Sequence, residues 1–198
     1  MTKVTLPALE AMKRRGRKIA AVVCWDTATA QVADASGVEI VSVGDSAAAG
    51  LDELVVFCGA VRRGVERALV SCDLPEPSVE SARRLAAVGA DLVKIEGAEA
   101  VRELAAAGIA VFAQLEGGDD PVAEAKRLEA AGAGLLDFRQ SGPQAGAAVA
   151  AAVGIPVLGG LGGGPWLDGR VRSVHRLLDE PLGSYVDDVR AGRPVRGD

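Results

Sequence analysis

Seven apolar runs punctuate the chain at nearly even spacing: IAAVVC (19–24), EIVSV (39–43), ALVSC (68–72), DLVKI (91–95), AVFAQ (110–114), GLLDF (134–138) and IPVLGG (155–160). Each is short and rich in β-branched residues, the pattern of strands buried on both faces. Helical patterns fill the intervals: TATAQVADAS, LDELVVFCGAVRRGVE, SVESARRLAAVG, AEAVRELAAAG, DPVAEAKRLEAAG and GPQAGAAVAAAVG. Ser78 and the pair Asp120–Pro121 suit helix starts, and several helices close on a glycine just before the next strand. Strand and helix in register predict a parallel α/β sheet. Seven units are clear, and an eighth falls in 171–180 (VRSVHRLLDE), where the pattern is thin. This predicts a (β/α)8 TIM barrel with trimmed loops, one domain over 1–198, with 183–198 as C-terminal helix and tail. The alternative is a doubly wound open sheet, but no GxGxxG follows the first strand.

Composition narrows the function classes. The 198 residues suit one domain, 49% of them hydrophobic and only 3% aromatic, so the core is built from Val, Leu, Ile and Ala. The net charge is -5. With no basic stripe and few aromatics, no nucleic-acid partner is expected. No segment reaches the ~18 apolar residues of a membrane helix, and MTKVTLPALEAMKRRGRK does not read as a secretory signal. Cys24, Cys58 and Cys72 lack CxxC spacing and read as small buried hydrophobes, which places the protein in a reducing cytoplasm.

In a barrel, the polar residues near the end of each apolar run and just after it form the mouth. These are Trp25 and Asp26; Asp45 and Ser46; Asp73; Lys94 and Glu96; Gln114 and Glu116; Asp137 and Arg139; and, after the glycine run GGLGGGPWLDG, Asp168. Asp26, Asp45, Asp73 and Glu96 crowd the ends of the first four strands. Carboxylates held this close repel unless a cation lies among them, and an oxygen-only set suits Mg²⁺. Each acid can instead cap the following helix. Zinc is not expected, because His175 has no partner. Lys94 and Glu96 share one face of strand 4, and a lysine inside an apolar strand is expensive unless used or paired, here with Glu96 or Asp73.

These residues carry a resemblance. TLPALEAM through VGDSA (5–47), SCDLPEPS, GADLVKIEGAE, IPVLGGLGGGPWLDGRV and YVDDVRAGRPV follow one another as in the ketopantoate hydroxymethyltransferase family. That family is a (β/α)8 barrel of the phosphoenolpyruvate mutase and isocitrate lyase superfamily, and its members form large homo-oligomers. The resemblance implies Asp45 and Asp73 as Mg²⁺ ligands with Glu96 beside them, and Ser46 and Lys94 on the carboxylate and keto oxygen of a 2-oxo acid. The metal would stabilise an enolate that attacks a one-carbon donor, methylenetetrahydrofolate in the family. Three departures stand out. AAAGLDEL replaces a longer covering loop. Gln114 stands where the family has a histidine, and only EGGDDP follows it. Arg139 stands where the family has its glutamate base, and an arginine stays protonated at neutral pH. Asp137, on the same face, reads as Arg139's partner or as a relocated base; Glu116 is the other partner open to Arg139. The expected site is therefore catalytic Lys94, Glu96 and Asp137; substrate-binding Ser46, Lys94, Gln114 and Arg139; and metal-binding Asp45 and Asp73. The function expected is Mg²⁺-dependent carbon–carbon bond formation or cleavage on a 2-oxo acid. The alternatives are lyase chemistry on a more acidic substrate, or a non-catalytic barrel that binds a small acid or a partner protein.

Overall fold

The computed structural model describes residues 2–44, 50–160, 163–177 and 182–194, with the backbone alone for His175, Arg176 and Leu182. Eight parallel strands close on themselves in chain order. They are β1 (Ile19–Val23), β2 (Ile40–Val43), β3 (Leu69–Asp73), β4 (Leu92–Glu96), β5 (Val111–Leu115), β6 (Leu135–Phe138), β7 (Val157–Gly159) and β8 (Gly169–Ser173). The seam is closed by β8 pairing with β1, from Gly169 opposite Ile19 to Ser173 opposite Val23. The expected (β/α)8 barrel is the fold observed, and the seven expected strands lie within two residues of their predicted ends.

The helices are α1 (Leu6–Arg14), α2 (Thr27–Ala35), α3 (Leu51–Gly64), α4 (Val79–Ala87), α5 (Ala98–Ala106), α6 (Pro121–Ala131), α7 (Pro143–Ala152) and α8 (Leu182–Arg190). The caps are those the sequence offered. Ser78 Oγ accepts from Ser81 N at 3.3 Å and Asp120 Oδ1 from Ala123 N at 2.9 Å. Gly132 ends α6 in the left-handed region, φ 107°. The apolar side chains form two layers. Outward-facing strand residues pack under α2 to α8. Inward-facing Ile19, Ile40, Leu69, Leu92, Phe112, Leu135 and Leu158 fill the barrel, with Leu9 of α1 fully buried among them. Sequence reading did not separate α1 from the basic leader, although Thr5 caps it, a proline stands in its first turn, and Leu6, Leu9 and Met12 repeat every three residues.

Two expectations are corrected. The eighth strand starts at Gly169, ahead of the 171–180 window. It lacks an apolar run because only Gly169, Val171 and Ser173 share the inward register of Ile19 and Ala21, while Arg170 and Arg172 alternate with them. Asp168 is not at the mouth. It precedes β8 at the opposite end, where its Oδ2 accepts from Val157 N at 2.9 Å and pairs with Lys13 Nζ at 2.8 Å. The unit after β7 also departs from the pattern: residues 160 and 163–168 form turns, not a helix. Trp166 fills the space instead, packed so closely that a Cβ on Gly146 or Gly164 would overlap its ring. Its Nε1 donates to Ser141 Oγ at 3.1 Å.

Candidate active site

The barrel's polar residues gather toward the C-terminal ends of β3 to β6. Strand register sets their levels. Asp73 lies opposite Lys94, Lys94 opposite Phe112, Glu96 opposite Gln114, and Gln114 opposite Asp137. Ser42 and Ser71 sit a step deeper on paired positions, with their hydroxyls 2.7 Å apart. Sequence reading missed this pair, as well as Phe112. Its signal was the inward period of β2 and β3.

Lys94 is the centre of the mouth. Its side chain is 4% exposed, and its Nζ lies 3.0 Å from Asp137 Oδ2 and 3.7 Å from Asp73 Oδ1. The Phe112 ring lies below, its centroid 5.0 Å from Nζ. Burial alone disfavours the charge on Lys94. The carboxylates of Asp137 and Asp73 and the hydrogen bond that Lys94 donates to Asp137 outweigh it, against opposition from Arg139, and hold the pKa above its ordinary value. Lys94 is therefore a charged donor. The nearest partner is neither of the two that strand spacing suggested: Asp73 is second, and Glu96 turns away to accept from Gln114 Nε2 at 2.5 Å.

Asp137 is 2% exposed and anchors two cations, since Arg139 Nε donates to the same Oδ2 at 3.4 Å. Its Oδ1 is buried and accepts no hydrogen bond among the described residues. Of the pairings open to Arg139, Asp137 is the one observed. Glu96 is exposed and Gln114 half-buried at the rim, while Glu116 is exposed beyond β5. Asp26 takes the capping role, its Oδ1 accepting from Thr29 N at 2.9 Å. Trp25 Nε1 donates to Gly44 O at 3.0 Å. Asp45 and Ser46 lie outside the described residues.

No group of three His, Cys, Asp or Glu side chains among the described residues is arranged to hold a metal. Asp73, one of the two expected ligands, stands at the mouth with its carboxylate directly over Gly44, where any Cβ would overlap it. The strand end before Asp45 therefore makes room for this carboxylate and for nothing larger than glycine. The donors present are oxygens and include no thiolate, which fits a hard cation such as Mg²⁺ as far as the described residues extend.

A closed parallel barrel with a charged lysine and converging acids at its C-terminal mouth defines a (β/α)8-barrel enzyme, and comparison with known proteins gives the family. A sequence model described as ketopantoate hydroxymethyltransferase matches residues 3–121. Among similar proteins is the 3-methyl-2-oxobutanoate hydroxymethyltransferase 2 of Pseudomonas entomophila, 32% identical over 240 aligned positions that cover 98% of this chain and 90% of the relative. The 3-methyl-2-oxobutanoate hydroxymethyltransferase of Thiobacillus denitrificans is 35% identical over 218 positions, covering 88% of this chain and 83% of the relative. The chain belongs to the ketopantoate hydroxymethyltransferase family and is an enzyme. An alignment of 240 positions against 198 residues means that the relative carries segments this chain lacks. Solved structures share the fold at low identity. A 2,3-dimethylmalate lyase of the PEP mutase/isocitrate lyase superfamily superposes with a TM-score of 0.69 at 13% identity, covering 92% of this chain and 85% of that one. A phosphonopyruvate hydrolase solved with oxalate and Mg²⁺ gives 0.66 at 17% identity, covering 96% and 85%.

Proposed function

We propose that this enzyme makes or breaks a carbon–carbon bond next to the carbonyl of a 2-oxo acid, with hydroxymethyl transfer as the reaction its family supports. The observation that carries the reading is the Lys94 ammonium, held charged at the mouth beside Asp73. A 2-oxo acid presents a carboxylate and a keto oxygen, and a buried cation is the group to receive the charge that builds on that oxygen when the neighbouring carbon loses a proton. Asp73 and Asp45 would hold Mg²⁺, which would supply Lewis-acid charge to the same two oxygens. Relatives with this fold point the same way, since one was solved with oxalate, a small chelating acid, together with Mg²⁺. Ser46 and Gln114 would bound the substrate. Asp137 keeps Lys94 aimed at the mouth. Glu96, exposed at the rim, is the acid with room to accept the substrate proton. Methylenetetrahydrofolate is the donor the family reading supplies, and the protein is proposed to work in the cytoplasm as a homo-oligomer.

The test is exchange of the carbon-3 proton of 3-methyl-2-oxobutanoate in D₂O, followed by NMR with and without Mg²⁺. Exchange that needs Mg²⁺ and is lost in Asp73→Ala supports the reading, and Glu96→Gln is expected to stop it. Calorimetry that finds no Mg²⁺ affinity, with or without the oxo acid, overturns the metal site.

A further inference from the structure

We propose that the acid this barrel takes carries two anionic groups, and that Arg139 receives the second. The inference rests on the reading of the mouth as a 2-oxo acid site and adds the class of substrate. The charges here are not shared one to one. Lys94 Nζ and Arg139 Nε both donate to a single oxygen, Asp137 Oδ2, at 3.0 and 3.4 Å. Lys94 has Asp73 as a second counter-charge at 3.7 Å, while Arg139 forms no second ion pair among the described residues. Its two terminal nitrogens donate no hydrogen bond among those residues, although its side chain is only 28% exposed. A guanidinium presents a planar fork, and one anchored at Nε with its outer edge unspent and open to the mouth is a receptor for a carboxylate taken in two parallel bonds.

Asp137 makes this receptor rigid. At 2% exposed it has little freedom to turn, and its grip on Nε fixes the plane of the fork. The geometry also sets the reach. Lys94 and Arg139 can be no farther apart than their two bonds to Oδ2 laid end to end, so one small molecule can engage both. Among the described residues no competing acid serves Arg139 at the rim, where Glu96 is held by Gln114. A 2-oxo acid with one carboxylate leaves Arg139 half-neutralised. A 2-oxo dicarboxylate places its keto-acid end by Lys94 and its far carboxylate on Arg139.

Two acids that differ only at the far end provide the test: 2-oxoglutarate and 2-oxopentanoate, titrated by calorimetry into the full chain with Mg²⁺. The wild type is expected to prefer 2-oxoglutarate by tenfold or more, the order of a charge-assisted bidentate contact. That preference is expected to collapse in Arg139→Gln and to return in part in Arg139→Lys, which keeps the charge without the fork. Circular dichroism of both variants confirms that they fold. Equal affinities in the wild type, or a preference unmoved by Arg139→Gln, overturn the proposal. If 3-methyl-2-oxobutanoate exchanges its proton while neither probe binds, the dianion inference fails and the oxo-acid reading stands. If no 2-oxo acid binds or exchanges at all, the underlying reading fails and takes this one with it.

Discussion

At the scale of single residues, the mouth shows which chemistry a sequence displays and which it hides. Asp73 and Glu96 were legible because each follows an apolar run and Lys94 because it interrupts one, and a barrel brings such ends together. Asp73 was legible as a partner of Lys94 and pairs with it at 3.7 Å, but the nearest partner was not, because spacing along one strand describes only that strand. Asp137 reaches Lys94 from β6, two strands away, across a position filled by Phe112. Removing this buried partner leaves a lysine in the barrel without its nearest counter-charge, and Asp137→Ala is expected to cost about 3–5 kcal/mol in urea unfolding. A cost below about 1 kcal/mol would mean that Asp73 and water suffice. Cys24 gives a second test. Burial pushes its thiol up to about 11, with the Asp26 carboxylate adding to the rise and a hydrogen bond with Thr29 opposing it. The native thiol thus holds its proton to higher pH than the unfolded one, whose ordinary value is 9.0. Its contribution to stability is complete below pH 9 and is lost as pH climbs toward 11. Iodoacetamide at pH 8 should spare Cys24 in the folded protein and label it in urea, as peptide mass mapping would show. Rapid native labelling at that pH contradicts the burial argument.

At the scale of elements, the units with strong periodicity were read nearly to the residue, and the ones that failed share a cause. β8 is a strand without an apolar run, since Gly169, Val171 and Ser173 supply its inward face and two arginines its other face. The unit after β7 is glycine-rich and shows no helix in its described residues. There a single side chain stands in for an element: the Trp166 ring, seated between Gly146 and Gly164 and tied to Ser141. No period in the sequence can announce this arrangement, because it depends on α7 presenting a glycine to a ring twenty positions on. Trp166→Ala should leave a cavity along the outer face of β7 and cost about 2–4 kcal/mol, measured by thermal or urea unfolding. A near-neutral result would show that α7 collapses onto the vacated space.

At the scale of the whole molecule, the two ends of the barrel use the same residue types for opposite purposes. At the end where the strands begin, acids satisfy backbone N–H groups. Asp34 accepts from Glu66, Arg67 and Ala68, Asp91 Oδ2 from Val70, Glu39 Oε2 from Ala20, and Asp168 Oδ2 from Val157. Basic side chains then neutralise three of these four acids: Lys13 on Asp168, Arg62 on Asp91 and Arg190 on Glu39. These acids are spent on closing the barrel. At the other end Asp137 faces a lysine and an arginine and Asp73 the same lysine, and Asp137 Oδ1 accepts no hydrogen bond among the described residues. That division is testable with one substitution far from the mouth. Asp168→Ala leaves Val157 N without its acceptor and Lys13, 12% exposed, without its carboxylate, so about 2–3 kcal/mol should be lost. For a chain of this size the loss corresponds to a fall in Tm of roughly 4–12 °C. Proton exchange of the oxo acid at 25 °C should stay within about twofold, because no mouth residue bonds to Asp168 among the described residues and ends of a barrel bear separately on stability and catalysis. An Asp168→Ala protein that keeps its Tm but loses exchange would place Asp168 in the chemistry after all.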